Sequence, residues 1–328
     1  MQRVGFTTTI PLEILIAAGR QPVDLNNIFI TSSRSHELME EAELAGFPRN
    51  ICGWIKGLYS TVLESGIREV IAVTEGDCSY TRALMEVLVL EGVSVVPFAY
   101  PHSRDRESLR FEMEKLLRHY GVDWPAVMAA KADLDRIRAK VGEIDRLTWS
   151  EDLVSGEENH YFQVATSDMN SDPSAFEQEV DAFLHQLKDR APRGERLRLA
   201  YVGVPPIIDG LYPFIESLGA RVVFNETQRQ FAMPYRLDDP VEQYLTYTYP
   251  YDIFHRLSDI LVETAKRRVD GVIHYVQSFC FRQIEDMIMR QKLPLPILTL
   301  EGDKPAPLDA RTKIRIEGFL ELLAERSA

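Results

Sequence analysis

Short apolar runs of strand length alternate with longer amphipathic runs along most of this sequence, and this alternation constrains the fold more than any other feature. Continuous apolar runs predict buried strands, whereas apolar residues at helical spacing predict helices. Alternation of the two is typical of α/β proteins with parallel sheets. Residues 22–30 are expected to be extended and residues 225–249 to form an ordered loop. The clearest predicted strands are residues 69–74, 93–97, 220–224, 271–276 and 296–300.

The pattern changes in the middle of the chain. Residues 104–190 are charged, poor in glycine and heptad-like in their apolar spacing, and they contain no predicted strand. These properties predict a helical bridge. The linker candidate that follows, residues 191–198, carries Pro192 and Gly194 before a new strand. We therefore expect an N-terminal α/β domain at 1–103, the helical bridge at 104–190 and a C-terminal α/β domain at 191–328.

The two predicted α/β regions resemble each other. The segment REVIAVTEGDCSYTRALMEVLVLEGVSVVPF in the first half aligns without a gap to DGVIHYVQSFCFRQIEDMIMRQKLPLPILTL in the second half. In this alignment Cys78 meets Cys280, and Met85 meets Met287. Generic strand–helix–strand patterning explains part of the match, but it does not readily place a cysteine at the same turn in both copies. The sequence therefore predicts two similar α/β domains.

Composition excludes several classes of protein. Lys and Arg number 37 against 50 Asp and Glu, and the net charge of −13 argues against a general nucleic-acid or membrane-surface binder. Three cysteines are too few for a secreted disulfide framework. The N-terminus has only a short apolar run, interrupted by Glu13, so we expect neither a signal peptide nor a spanning helix. These features predict a cytoplasmic protein.

All three cysteines fall at predicted helix starts. Cys78 and Cys280 each follow the carboxyl end of a buried strand, which is where open α/β sheets bind their ligands. Cys52 precedes an apolar-periodic run, and the N-terminus of a helix favours a thiolate. Three such cysteines, one of them from the other domain, could converge in an interdomain cleft. The alternative for each one alone is a small buried hydrophobe, a common role of free cysteine.

The residues alone leave the chemistry of such a set open. A structural zinc site normally shows paired ligands such as C-x₂-C, and this sequence has none. A single nucleophilic cysteine would leave the other two unexplained. Three dispersed thiolates fit an iron–sulfur cluster in which one iron is not held by the protein. Purely structural cysteines without any metal are the remaining possibility.

Several segments resemble the 2-hydroxyacyl-CoA dehydratase family, which includes the benzoyl-CoA reductase subunits and the double-cubane cluster proteins. The segment VGFTTTIPLEILIAAGRQPVDL is similar to the Pro–Glu…Ala–Gly…Pro–Val opening of that family. ICGWIKGL around Cys52, VIAVTEGDCSYTRALMEVL around Cys78 and the block around Cys280 are similar to its three cysteine regions. The most specific part is the last block with LEGD at residues 300–303, and the resemblance spans about residues 4–325.

The resemblance implies two Rossmann-like (flavodoxin-like) domains with parallel sheets and a cluster site in the cleft between them. By position, Cys52, Cys78 and Cys280 would be the metal ligands of a [4Fe-4S] or a double-cubane iron–sulfur cluster. Single low-potential electrons would come from an ATP-dependent iron–sulfur activator protein. The protein would work as a homodimer or as a heterodimer with a related subunit.

Two hypotheses about activity follow from the resemblance. The first is an anaerobic reductase or dehydratase component, which removes water from a 2-hydroxyacyl-CoA through a thioester ketyl radical or reduces another small molecule. The second is a non-catalytic accessory or electron-relay subunit that holds a cluster but binds no substrate. The catalytic subunits of the family usually carry a longer helical N-terminal portion than this sequence, and that difference favours the second hypothesis.

Polar residues beside the cysteines are candidates for the remaining roles. Glu75 is the candidate for proton transfer, and its alternative role is to complement a helix dipole. Asp77, Gln277 and Ser278 could reach a ligand on the open iron or tune a cluster through hydrogen bonds. Lys56, one turn into its helix, could offset cluster charge, although a solvated surface cation is the more common case.

Arginines and tyrosines give further candidates. Arg82 could offset cluster charge in the same way as Lys56. Tyr247, Tyr249 and Tyr251 alternate along the chain, which indicates either one face of a segment packed on the core or a wall of the site. The candidates for binding CoA phosphates are Arg20, Arg34, Arg104 and Arg106.

Overall fold

Two parallel β-sheets form the framework of the chain, and the computed structural model describes residues 1–194 and 196–327, without the side chain of Ser327. The N-terminal region consists of β1 (Arg3–Phe6), α1 (Leu12–Ala17), β2 (Gln21–Asp24), α2 (Leu25–Thr31), α3 (Ser35–Leu44), α4 (Gly53–Ser65), β3 (Glu69–Glu75), α5 (Thr81–Leu90) and β4 (Ser94–Ala99). Its four strands are all parallel and lie in the order β2-β1-β3-β4.

The middle of the chain is helical, as the charged, strand-free sequence predicts. Side-chain caps start these helices: Asp105, Asp123, Ser155 and Asp172 each accept a hydrogen bond from a backbone N–H group in the first turn. The helices are α6 (Arg106–Tyr120), α7 (Trp124–Ser150), α8 (Gly156–Ala165) and α9 (Pro173–Gln186).

The second sheet begins within the segment predicted as a linker, since its first strand starts at Leu197, and Glu195 of that segment lies outside the described residues. The C-terminal region consists of β5 (Leu197–Gly203), β6 (Ile208–Asp209), α10 (Leu211–Ser217), β7 (Ala220–Asn225), α11 (Glu226–Phe231), α12 (Pro240–Thr246), α13 (Ile253–Lys266), β8 (Gly271–Gln277), a 3₁₀ turn (Phe281–Ile284), α14 (Glu285–Lys292), β9 (Ile297–Gly302), β10 (Ala306–Pro307) and α15 (Ala310–Ser327). The main sheet is parallel in the order β7-β5-β8-β9, and β6 pairs with β10 separately.

The two main sheets have the same topology. In chain order, each places its second strand, then its first, third and fourth, which is the order of a flavodoxin-like sheet. The sequence alignment also holds at residue level, because β3 at 69–75 matches β8 at 271–277. The fold is therefore α/β with two Rossmann-like halves, as predicted. The domain boundaries at residues 103 and 190 stay a prediction.

Two expectations about secondary structure were wrong, one of an extended segment and one of a loop. Residues 22–30 are not extended throughout, because the Asp24 side chain accepts the Asn26 N–H at 2.9 Å and so caps α2. Residues 225–249 are not a single loop, because they form α11 and α12. All six residues of α11 are buried although five of them are polar, so no apolar period marks this helix. Helix α12 starts at a capping Asp239 followed by Pro240.

Buried contacts tie the helical bridge to both halves. Arg138 of α7 donates to Glu13 of α1 at 2.6 Å, and both side chains are almost fully buried. From the same helix, Asp145 accepts two hydrogen bonds from Arg267, which directly follows α13. The bridge is thus anchored on each side by a buried ion pair. Among the described helices, none combines the length and the apolar composition that crossing a lipid bilayer requires.

Candidate functional site

The carboxyl ends of the central strands of both sheets meet at one cavity of about 130 Å³. Strand order reverses between β1 and β3 in the first sheet and between β5 and β8 in the second. Ligands of open α/β sheets bind at these switch points. The loops that follow the four strands contribute residues 7–9, 77–78 and 204–206 and Cys280, and β8 contributes its last residue, Gln277. Both halves therefore present their ligand-binding edges to the same cavity.

All three cysteines line this cavity as free thiols. Cys52 is buried and occupies the N-cap position of α4. Cys78 and Cys280 are partly buried on the turns that follow β3 and β8. The turn that carries Cys280 is closed by a hydrogen bond from its own N–H to the carbonyl of Gln277 at 3.0 Å. The structure thus brings the chain's three cysteines together, and their role as metal ligands stays a prediction.

The arrangement of the thiols fits some metal sites better than others. Within residues 1–194 and 196–327, no three His, Cys, Asp or Glu side chains are grouped closely enough to hold a metal ion. A mononuclear site is therefore not formed by these side chains as placed. A polynuclear cluster makes a different demand, since each thiolate binds its own metal atom and the ligands surround the cluster. Thiols distributed around one cavity are the donor set that such a cluster needs.

Burial raises the pKa of all three thiols, and it raises the pKa of Cys52 to about 12. Loss of hydration is the largest cause in each case, and the cysteines also disfavour one another's negative charge. Thiols of this kind are protonated at neutral pH and are weak nucleophiles. These pKa values disfavour a single nucleophilic cysteine, whereas a bound metal would displace the protons.

Two glycines permit close contacts, one between the halves beside Cys52 and one within the second half. A Cβ atom on Gly53 would lie 2.6 Å from the carbonyl oxygen of Asp303. The same oxygen accepts a hydrogen bond from Gln277 at 2.8 Å. A Cβ atom on Gly302 would lie 1.9 Å from the hydroxyl of Tyr275. The backbone of Asp303 therefore packs directly against Gly53 at the start of α4, and Gly302 leaves room for the Tyr275 hydroxyl.

Lys56, a candidate for offsetting cluster charge, lies behind Cys52 and does not line the cavity. Its ammonium group is buried and donates to Glu43 at 2.8 Å and to the carbonyl of Arg49 at 3.3 Å. These bonds fasten the segment that leads into Cys52 onto α3. Its observed contacts are therefore those of a residue that positions the Cys52 turn.

Replacement of Lys56 by methionine should lower the free energy of unfolding by about 1–3 kcal/mol, because Glu43 and the Arg49 carbonyl lose their buried donor. Urea unfolding followed by circular dichroism measures this change. Lys292→Met is the matched control, since Lys292 is exposed on α14 and should change stability by less than about 0.5 kcal/mol. Equal effects of the two substitutions would contradict the positioning role.

The other residues predicted beside the cysteines are placed differently from one another. Gln277 and Asp77 line the cavity, and Asp77 accepts a hydrogen bond from the Tyr249 hydroxyl at 3.1 Å. Ser278 donates to Glu301 at 2.8 Å on the outer side of the turn. Glu75 is exposed, accepts the His102 N–H at 2.8 Å and does not line the cavity. The proton-transfer role of Glu75 stays a prediction.

The arginines predicted for CoA phosphates do not line this cavity. Arg34 pairs with Glu41 and Glu64, and Arg106 pairs with Asp239 and Glu242. Their charges are therefore already matched by carboxylates within the chain. Of the other two, Arg104 donates to the Leu245 carbonyl and Arg20 donates to Gln2. Arg82, which was predicted to offset cluster charge, donates to the Thr74 carbonyl and does not line the cavity.

The alternating tyrosines divide between the two roles that their pattern indicated. Tyr247 and Tyr251 are buried in the core, where both rings pack near Tyr100. Tyr249 lines the cavity and bonds to Asp77 through its hydroxyl. Of these three tyrosines, Tyr249 forms part of the cavity wall, whereas Tyr247 and Tyr251 hold the segment against the core.

Arg282 is a site residue that the sequence-based reasoning missed. Its guanidinium stacks over the Tyr249 ring at 4.7 Å and donates to the Tyr249 carbonyl at 2.7 Å. It also lies 3.3 Å from Glu285. Burial raises the pKa values of Asp77 and Cys280, and the positive charge of Arg282 offsets part of that rise. Its position two residues after Cys280 was a signal that could have identified it.

His160 is a second residue that was missed, and it comes from helix α8 of the bridge. Its ring lines the cavity, while Nδ1 lies 3.1 Å from the Tyr212 hydroxyl oxygen and 3.3 Å from the Gln228 amide. Burial lowers the pKa of His160 to about 4, so the imidazole is uncharged at neutral pH. No local motif marks this residue, because its neighbours come from distant parts of the chain.

Fold and site together define a class: two Rossmann-like halves whose ligand-binding edges enclose a cavity lined by cysteines. Comparison with known families is in agreement. The family model described as 2-hydroxyglutaryl-CoA dehydratase, D-component, matches residues 7–323, and the chain belongs to that family. The predicted family is therefore confirmed, and dehydratase-type catalysis is its broad activity. A comparison with curated proteins gave no match.

Proposed function

We propose that this protein is an iron–sulfur component of the 2-hydroxyacyl-CoA dehydratase type, with Cys52, Cys78 and Cys280 as cluster ligands. It would accept low-potential electrons from an ATP-dependent activator protein and use them on an acyl-CoA substrate, as a homodimer or with a related subunit. The observation that carries this proposal is that one cavity, at the switch points of both sheets, collects all three cysteines of the chain.

The residues around the thiols suit a buried cluster. When bound, a [4Fe-4S] or double-cubane cluster would supply single electrons at low potential. Arg282 holds a positive charge beside Cys280, which would compensate part of the negative charge of three thiolates. The ring of Tyr249 and the apolar side chains of Ile55 and Leu58 line the same cavity and would limit the access of water. The residues present therefore fit the group.

Replacement of Arg282 by glutamine should lower the midpoint potential of the reconstituted cluster by about 60 mV, a tenfold change in a one-electron equilibrium. The cause is the loss of a buried positive charge near the reduced, more negative state. A redox titration followed by EPR spectroscopy measures the potential. Arg82→Gln is the control, because Arg82 is exposed and its charge is screened by water. The cluster in this variant should have nearly the same midpoint potential as the cluster in the unchanged protein. Equal potentials in both variants would contradict the role of Arg282.

Anaerobic purification with iron and sulfide analysis tests the proposed function directly. We expect brown protein with a cluster EPR signal, and turnover of a 2-hydroxyacyl-CoA when activator and ATP are added. Colourless, iron-free protein after reconstitution would contradict the proposal. A cluster without turnover would instead identify an accessory or electron-relay subunit, and reduction of small molecules without a CoA ester would identify a double-cubane-type reductase.

A further inference from the structure

Two buried aspartates meet where the helical bridge contacts the first half. Asp168 lies in the turn that follows α8, and its Oδ2 accepts the N–H of Asp24 at 2.9 Å. Asp24 is the last residue of β2. Only 5% of Asp24 and 4% of Asp168 is exposed. Two acids are thus enclosed at one contact between distant parts of the chain.

Neither carboxyl group is paired with a cation among the described residues. The Oδ1 atom of Asp168 is buried and has no hydrogen-bond partner within residues 1–194 and 196–327. The second half differs at the equivalent place, because the buried Glu226 directly after β7 is paired with Arg256. The acid at this strand end therefore has a counter-charge in one half and a second acid in the other.

Burial without a counter-charge makes the ionisation of both aspartates unfavourable. Burial raises the pKa of Asp168 to about 7, and the negative charge of Asp24 is the next largest cause. Burial also raises the pKa of Asp24, although hydrogen bonds from Ser167 and Asn26 oppose that rise. Two like-charged groups at one site lose their protons in separate steps that belong to the pair. The pair therefore keeps a proton that two exposed aspartates would already have lost in mildly acidic solution.

The other titratable groups around the pair supply no positive charge. Asp77 lines the same cavity as Asp24, and the charge of Asp24 raises the pKa of Asp77. Tyr247 and His160 are uncharged at neutral pH, because burial raises the pKa of the tyrosine and lowers that of the histidine. Arg20, the nearest cation along the chain, is bonded elsewhere. Thiolates or a cluster in the cavity would add negative charge and would favour the retained proton further.

The turn that carries Asp168 is strained. Met169, Asn170 and Ser171 have φ values of 54°, 48° and 62°, in the left-handed region that residues other than glycine rarely adopt. Such a conformation persists only when surrounding contacts hold it. Here Gln21 donates to the Ser171 carbonyl at 3.3 Å, and Met169 is buried in the core. The turn therefore depends on its contacts with β2 and with the core.

We propose that residues 168–171 form a pH-sensitive latch, in which a proton retained by Asp24 and Asp168 strengthens the attachment of the bridge to the first half. Without that proton, two unpaired carboxylates are enclosed together, and the strain of the turn favours its release. Helix α8, which ends just before the latch, supplies His160 and Val164 to the cavity wall. A weaker latch would therefore loosen the side of the cavity that the bridge covers. This inference does not depend on the proposed function.

The latch should weaken as the pH rises from about 4 to about 7. In the open turn, a solvated aspartate has its ordinary pKa of 3.8, whereas the closed pair holds its proton up to about pH 7. Between these two values closing takes up a proton, so each pH unit lowers the equilibrium constant for closing about tenfold. Above about pH 7 neither state holds the proton, and the dependence ends.

Infrared difference spectroscopy of the full chain tests the retained proton, because a protonated carboxyl group and a carboxylate absorb at different frequencies. At pH 6 the unchanged protein should show the band of one more protonated carboxyl group than Asp168→Asn does, and at pH 9 the two should agree. Asp189→Asn removes an exposed carboxyl group and should match the unchanged protein at both pH values. Equal bands in Asp168→Asn and the unchanged protein at pH 6 would overturn the proposal.

Hydrogen exchange tests the latch itself. In the unchanged protein, the protection factor of the Asp24 N–H should fall at least about tenfold between pH 5 and pH 8, after correction for the intrinsic exchange rate. In Asp168→Asn it should change less than about threefold. If circular dichroism shows that this variant is unfolded, Asp24→Asn, which keeps a good N-cap residue, takes its place. Protection in the unchanged protein that is constant or rises with pH would refute the latch, and so would an equal fall in the folded variant.

Discussion

Cys280→Ser should reduce the iron bound after reconstitution from about four atoms per chain, or about eight for a double cubane, to a small fraction of that value. Serine keeps the shape of the turn but is a poor ligand for iron. Because Cys280 is the one cysteine that the second half contributes, its loss leaves two ligands on one side of the cavity. Iron and sulfide analysis, with the EPR signal of the reduced protein, measures the outcome.

Comparison among the three cysteines makes this experiment specific. Cys52→Ser and Cys78→Ser should lose iron to a similar extent, whereas Ser79→Ala changes an exposed neighbour of Cys78 and should retain it. If Cys280→Ser kept its full iron content while the other two variants lost theirs, the ligands would all belong to the first half. That result would refute a cluster shared between the two halves.

Arg256→Met should lower the free energy of unfolding by about 3–5 kcal/mol, because it leaves a buried carboxylate without its partner. Arg256 of α13 donates two hydrogen bonds to Glu226 of α11, at 2.8 and 2.9 Å, and both side chains are almost fully buried. Glu226 in turn accepts the N–H of Gly203 at the end of β5. Denaturant unfolding at neutral pH measures the loss.

The pH dependence of that loss has a definite sign. Burial alone would raise the pKa of Glu226, but the charge and hydrogen bonds of Arg256 outweigh it and hold the pKa below its ordinary value of 4.5. The intact protein therefore has this stabilisation above pH 4.5 and loses it as the pH falls through the lower, folded-state pKa. In the variant, protonation of the unpaired Glu226 relieves the penalty, so the difference between the two proteins should shrink in acid.

A surface ion pair provides the control for Arg256→Met. Arg146 pairs with Glu143 and Glu151, and its side chain is 43% exposed. Arg146→Met should cost less than about 1 kcal/mol, because exposed pairs gain little in water. The assignment of Arg256 and Glu226 as a buried pair would be contradicted if both substitutions lowered the free energy of unfolding by a similar amount. It would also be contradicted if the loss caused by Arg256→Met became larger at acidic pH.

The parts of the fold that could be predicted are those with a local apolar period. The strands at 69–75 and 271–277 were predicted to within one residue at their ends, because each is a continuous buried run. Helix α11 was missed because its polar side chains are buried by contacts with the bridge and with α13, which no window of sequence reveals. Helix α2 was missed because one hydrogen bond, from the Asn26 N–H to the Asp24 carboxylate, caps the helix directly after β2.

The candidate site shows the same division. The three cysteines could be found from the sequence because each stands at the junction of a strand or loop with a helix. His160 could not, since it reaches the cavity from a helix of the bridge whose sequence contains no motif around this residue. Glu75 is the last residue of β3 and does not belong to the turn that carries Cys78, and its carboxylate accepts the His102 N–H outside the cavity. The end of a strand and the direction of its last side chain depend on the whole tertiary structure.

The matched topology of the two halves has a consequence for the number of ligands. Helix α4 precedes β3 and helix α13 precedes β8, so the two helices hold equivalent places. The residue before α4 is Cys52, whereas the residue before α13 is Asp252, which is exposed and caps its helix. A perfectly duplicated chain would offer four thiols and could close every corner of a cubane. This chain offers three, so in the proposed cluster one metal atom would lack a cysteine ligand from this chain.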